Sequence, residues 1–205
     1  YTTIIYAQTW NGTTSTDWFT AANWTPATLP TSSSDVTIPS GTPNNPTLGG
    51  LGADIDKITI NAGATLTISS QQLTVRGTGA GNAITNNGTL NVDVNGTLSN
   101  EGATDDGCLN AGIITNSGII NIGIGVLGSG GSAVIGSEGL YNTGTIINQA
   151  GAIIGVFGST EEGIENTSSG NITNDGTLTT DFIFADGILN SGTLMNQNGG
   201  AIDAG

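Results

Sequence analysis

The chain has 205 residues, 34 of them glycine, and only 9% are charged, against roughly a quarter in ordinary soluble domains. Sixteen acids face two bases, Lys57 and Arg76, so the net charge is −14; an electrostatic nucleic-acid binder needs Lys and Arg to displace phosphate counterions, and that class is excluded. There is no histidine, so the usual general base and the Ser–His pair are missing, and a glycosidase working with two carboxylates is the hydrolase that composition still permits.

In chain order, residues 1–8 read either as the end of a secretory apolar region with a small residue at a cleavage position or as a first strand. All three tryptophans follow, in Trp10-Asn11-Gly12, Asp17-Trp18-Phe19 and Asn23-Trp24-Thr25-Pro26. After them come Leu29-Pro30-Thr31 and Asp35-Val36-Thr37-Ile38-Pro39. This opening resembles that of secreted bacterial parallel β-helix surface proteins, adhesin-like or autotransporter-like and of the Bacteroidetes type. The resemblance covers the first 50 residues and, more loosely, the Asn-x-Gly repeats that follow. It implies a secreted or cell-surface location and no particular activity. Trp10, Trp18 and Trp24 have two readings. They plug the first coil of a solenoid, which would otherwise expose apolar strands and unpaired edges, or they present a platform on which sugar rings stack.

Residues 51–205 form the second region. Ile58-Thr59-Ile60 and Thr65-Leu66-Thr67-Ile68 alternate with period two, the pattern of strands with one buried face. An Asn-x-Gly phrase then recurs: Asn110 to Gly118, Asn142 to Asn148, Asn166 to Gly176 and Asn190 to Asn196, with a weaker copy at 82–88. Taking Asn61, Asn86, Asn116, Asn148, Asn174 and Asn196 as fixed points gives intervals of 25, 30, 32, 26 and 22 residues. That is one coil of three short strands, and the expected fold is an all-β, right-handed parallel β-helix of about six coils. Asn at the corners is expected to tolerate left-handed backbone and to bond the Asn one coil up, and Gly to supply positive φ. Glycine recurs too often for helices. Cys108, the single cysteine, fills an apolar slot matching Leu140 and Ile188. Threonine rows such as Thr65-Leu66-Thr67 and Thr177-Leu178-Thr179-Thr180 resemble the flat arrays of ice-binding solenoids, but they are not expected to continue from coil to coil, and that reading is set aside.

An acid precedes each repeat in register: Asp106, Glu138, Glu162 and Asp186. Stacked, they form a column that either binds a hard cation such as Ca²⁺ between coils or fans outward as solubilising charge. No other cofactor is implied. The pairs Asp54/Asp56 and Asp105/Asp106 are too close in sequence to be placed as a glycosidase pair.

No stretch is long and apolar enough for a membrane span. The last coil closes without an aromatic or charged cover, and solenoid ends need caps. Ala201 and Ile202 are therefore expected to meet the β-rich residues Thr2, Thr3, Ile4, Ile5 and Tyr6 of another copy. Head-to-tail contact of this kind does not close and gives a homopolymer. The expected function is a non-enzymatic, structural subunit of an extracellular bacterial filament, with adhesion to a glycan or cell surface. The alternatives are a monomeric carbohydrate-binding adhesin module and a polysaccharide-active enzyme.

Overall fold

In Lys57–Ile60 the burial alternates, with Ile58 and Ile60 inside and Lys57 and Thr59 outside. A strand this short, apolar on one side only, cannot stand alone in water; it needs a partner strand one turn further along. In the computed structural model, which describes residues 6–123 and 135–205, that need is met by winding the chain into a parallel β-solenoid with three faces. The first face stacks Tyr6–Trp10, Ser34–Ile38, Lys57–Ile60, Ile84–Asn86, Cys108–Asn110, Leu140–Asn142, Ile164–Asn166 and Ile188–Asn190, in that order. The second stacks Thr47–Leu48, the opening parts of Thr65–Val75 and Thr89–Asn100, then Ile113–Asn116, Thr145–Asn148, Asn171–Asn174 and Thr193–Asn196. The third stacks Ala53–Ile55, the closing parts of the same two long strands, Ile119–Ile122, Ile153–Phe157, Thr177–Asp181 and Ala201–Ala204.

The rod makes about eight turns, not the six expected. Counting by asparagines misses the early turns, where the same inward positions hold aliphatic residues. Stacking also begins well before residue 50: Ser34–Ile38 pairs with Tyr6–Trp10 on one side and Lys57–Ile60 on the other. The Trp-rich segment is threaded into the first turns.

The asparagines form two ladders where one was expected. Asn86, Asn110, Asn142, Asn166 and Asn190 superpose on the first face. Asn116, Asn148, Asn174 and Asn196 superpose on the second. The series running from Asn61 through Asn86 to Asn116 mixes the two: Asn86 lies over Ile60, and Asn116 lies over Val92. Aliphatic columns fill the rest of the interior, for example Leu66, Leu90, Ile114, Ile146 and Ile172, each at most 2% exposed. Cys108 sits between Ile84 and Leu140 in such a column, and burial pushes its thiol up to about 12. It packs as a small hydrophobe.

The repeat glycines are needed for a different reason from the expected one. Gly112, Gly144 and Gly192 are not among the positive-φ residues, and neither are the ladder asparagines. Instead, a Cβ on Gly144 would lie 2.2 Å from the Gly112 carbonyl oxygen, and one on Gly112 would lie 2.1 Å from that of Gly88. The corner is tight because the neighbouring backbone occupies the side-chain position, and only glycine fits.

At the N-terminal end Trp24–Thr25 pairs antiparallel with Tyr6–Trp10 and covers the edge of the first face. Trp10, Trp18 and Trp24 are at most 1% exposed. Trp24 stands edge-on to both others, with ring centroids 5.0 and 4.7 Å apart. Each buried indole N–H has an acceptor: Trp10 Nε1 donates to Asn44 O at 2.7 Å, and Trp24 Nε1 to Trp18 O at 2.8 Å. These tryptophans are the plug of the first turn. The rows expected to stop between coils do so, with Thr67 against Asn91 and Thr177 between Ile153 and Ala201, while a different column, Thr9, Thr37, Thr59 and Thr85, superposes on the outer side of the first face.

Candidate functional site

From Lys57 onward, connections from the first face to the second, and from the second to the third, are at most four residues long, whereas from Asn100 onward those returning from the third face to the first are longer. Seven of the chain's sixteen acids lie on these long connections, at 101–107, 123–139, 158–163 and 182–187. Main-chain hydrogen bonds hold the four expected acids at one height per turn. Gly107 N donates to Glu138 O, Gly139 N to Glu162 O, and Gly163 N to Asp186 O, at 2.9–3.0 Å. The column inferred from the repeat register is present as a stack of backbone positions.

The side chains sort themselves differently. Asp106 is 9% exposed and hydrogen-bonds the Glu138 carboxylate. Burial, and then Glu138 beside it, push the Asp106 carboxyl up to about 7. Burial opposes the charge on Glu138 too, but hydrogen bonds from Ser137 and Asp106 outweigh it and hold that group below its ordinary value. The pair therefore shares a proton, with Asp106 as donor.

Glu138, Glu162 and Glu165 bring carboxylate oxygens within 4.8 Å of one another, and they are the acids that could hold a metal ion among the described residues. Of the four expected acids, Asp106 and Asp186 are not in this group, and Glu165 was not anticipated. Glu165 is the outward residue of Ile164–Asn166, placed over Tyr141. Its signal was available in the alternation Ile164-Glu165-Asn166, where an acid occupies a position held by Tyr141 and Leu189 in neighbouring turns. Burial raises the Glu165 carboxyl, and the hydrogen bond to Glu138 raises it further.

Both bases are consumed elsewhere. The Arg76 guanidinium takes Asp54 from the turn before, through Nε at 2.8 Å and through Nη2, and Glu101 from the turn after at 3.2 Å. Lys57 Nζ donates to the Ala80 carbonyl. No base follows Arg76 in the chain, and neither Lys57 nor Arg76 is bonded to Glu138, Glu162 or Glu165. A carboxyl pair in direct hydrogen-bond contact leaves no room for a glycosidic bond between its members; a retaining glycosidase needs about 5 Å.

The remaining candidates are placed as follows. The indole faces of Trp10, Trp18 and Trp24 are inside the plug and not available to a sugar ring. Thr2, Thr3, Ile4 and Ile5 lie outside the described residues. The backbone of Tyr6 is already paired with Ser34, so it is a built-in strand of the first turn. Ala201 and Ile202 lie in the last strand of the third face, and Ile202 is 38% exposed. No helix among the described residues is long and apolar enough to cross a membrane.

No curated protein and no solved structure matches the chain. A domain of unknown function, DUF8693, matches residues 9–122, which takes in the tryptophan plug and the first turns and is more than half of the chain, and the chain belongs to that family.

Proposed function

We propose that the protein is a structural subunit of an extracellular bacterial filament or surface appendage, built by end-to-end stacking of solenoids. The observation that carries this reading is the repeated stacking itself, with successive turns tied together by two asparagine ladders and by both bases. Ile120, Ile154 and Leu178 are at most 3% exposed, and the next member of their column, Ile202, is 38% exposed. Asn166 and Asn174 are fully buried, whereas Asn190 and Asn196 one turn later are exposed. A layer laid on this coil would cover Ile202, Asn190 and Asn196 as each turn covers the one before it. Such a layer comes from further turns of a longer polypeptide or from a second molecule, and the two give different objects.

The first turn supports one-way growth. Its edge is occupied by Trp24–Thr25 and its interior by three tryptophans, so a mating strand has to come from residues 2–5 by β-augmentation. Repeated head-to-tail, that contact gives an open filament. The low charge and the high content of Asn, Thr and Gly suit a secreted surface protein, and the engagement of both bases in ties between turns supports a structural role over a catalytic one.

Negative-stain electron microscopy of the purified chain, beside a variant lacking residues 1–5, tests the proposal. The truncation spares Tyr6–Trp10 and its pairing with Ser34–Ile38, so the rod stays intact. Fibres from the full chain and isolated rods from the truncation are expected. Isolated rods from the full chain at high concentration would overturn the filament reading. Fibres from both would leave the filament and remove residues 2–5 as its joint.

A further inference from the structure

The second face is uncharged over six successive rungs, and the third face shares that neutrality over its middle rungs, with acids at Asp54, Asp181 and Asp203. Outward positions of the second face form a column of Thr65, Thr89, Ile113, Thr145, Asn171 and Thr193. Two residues further along each strand a second column runs from Thr67 through Thr115 and Thr173 to Met195. Each of these six rungs carries a threonine in one column or the other. None carries a charged residue, in a chain of net charge −14. The connections bounding this face are the short ones, while the long connections and the acidic cluster lie at the corner where the third face returns to the first. Among the described residues, the connections on either side of these six rungs have four residues or fewer.

Geometry and rotamers make it a fixed grid. Rungs repeat at ~4.8 Å along the rod, and the two columns stand ~6.7 Å apart. Threonine is β-branched and restricted at χ1, so each hydroxyl and methyl is held by the strand beneath it. The threonine pattern is interrupted by apolar residues at Ile113, Ile147 and Met195 and by asparagine at Asn91 and Asn171, and none of these brings a charge.

These features select the partner. Between column centres the grid spans ~24 by ~7 Å, about 160 Å², far below the roughly 800 Å² each partner gives to a standard protein interface, so a second copy is a poor fit. It has no aromatic residue for a sugar to stack on and no charge for a phosphate or a lipid headgroup. What matches a rigid, neutral net of hydroxyls and methyls is a solid of small neutral hydrogen-bonding molecules with a fixed lattice. We propose that the second face of the solenoid binds ice, with the threonine hydroxyls and methyls ordering water into the lattice at the crystal surface. A single rod suffices, so the inference is independent of filament formation.

The experiment uses the full chain. Its partition into slowly grown polycrystalline ice is measured against a control protein, and thermal hysteresis is recorded on single crystals. Two folded variants accompany it, checked by circular dichroism and melting: Thr115→Lys at the centre of the grid, and Thr59→Lys in the threonine column of the first face. Enrichment in ice and a hysteresis gap are expected for the natural sequence and for Thr59→Lys, with loss of both for Thr115→Lys. If Thr115→Lys fails to fold, Thr89→Gln, uncharged but projecting above the plane, takes its place with the same expected loss. Exclusion of the natural sequence from ice overturns the proposal, and so does an equal loss in Thr59→Lys. Exclusion from ice with co-sedimentation on crystalline cellulose also overturns it and assigns the face to a polysaccharide.

Discussion

Asn116 Nδ2 donates to Asn148 Oδ1 at 2.9 Å, although the two residues are 32 apart in the chain. The other amide hydrogen of Asn116 goes to the Ile153 carbonyl, also at 2.9 Å. Asn148 repeats both bonds to Asn174 and Thr177, and Asn174 repeats them to Asn196 and Ala201. On the first face Asn86, Asn110, Asn142, Asn166 and Asn190 are linked at 2.7–2.8 Å. Every amide therefore points the same way along the rod, and aligned dipoles of this kind reinforce one another in a dry interior.

Interior rungs should matter much more than the last. Asn148→Ala leaves the Asn116 amide short of an acceptor and the Asn174 oxygen without its donor, both fully buried. At ~1–3 kcal/mol for each buried group left unpaired, a loss of about 2–5 kcal/mol is expected. Asn196 is exposed, so Asn196→Ala should cost well under half of that. Urea melts of the two variants read the difference, and equal losses would mean that water satisfies the interior amides as well as the neighbouring rung does.

The corner glycines give a second prediction. Since a Cβ on Gly144 would lie 2.2 Å from a backbone oxygen of the turn before, Gly144→Ala must push two turns apart. A cost of about 1–3 kcal/mol is expected, in the range of overpacked cores. Gly151 has positive φ but open space around it. Gly151→Asn, a residue that tolerates left-handed backbone, should therefore be nearly silent. A melting temperature lowered as much by Gly151→Asn as by Gly144→Ala would assign the glycines to backbone conformation and not to close approach.

Much of this architecture is legible in the residues because a solenoid repeats its local chemistry. Alternation in Ile58-Thr59-Ile60 marks a one-faced strand, and Asn-x-Gly marks a corner. What the repeat hides is register. Asn86 and Asn116 carry the same phrase on different faces, and separating them requires knowing that Ile60 and Val92 occupy the rungs before them. Early turns build the same columns from Ile, Leu and Val, with no marker to count. The acidic corner is half legible for the same reason. The stacked positions Asp106, Glu138, Glu162 and Asp186 follow from the repeat, but side-chain direction brings in Glu165 and leaves Asp186 apart.

The tryptophan plug should behave as core. Trp24→Ala empties a site between two indoles and removes the hydrogen bond to Trp18 O, and a loss of about 3–5 kcal/mol is expected. Glycan-array binding, if the protein shows any, should change only in proportion to the folded fraction. Retained stability with selective loss of glycan binding would return these residues to a surface role.

Stability should fall as pH rises towards neutrality, because of Asp106. In the folded chain its carboxyl keeps a proton up to about 7, against an ordinary value of 3.8. Across that window the folded state binds more protons than the unfolded one, so raising the pH destabilises it. Glu138 acts in the opposite direction lower down. It is held below its ordinary 4.5, so the stability it contributes is present above that value and is lost as pH falls through the depressed one. The melting temperature should therefore peak at mildly acidic pH and decline towards about pH 8. Asp106→Asn supplies an N–H to Glu138 at every pH. It should flatten the decline and melt above the natural sequence at about pH 8, while gaining nothing at acidic pH. A natural-sequence melting curve that is level across the whole interval would show that the two carboxyls do not share a proton.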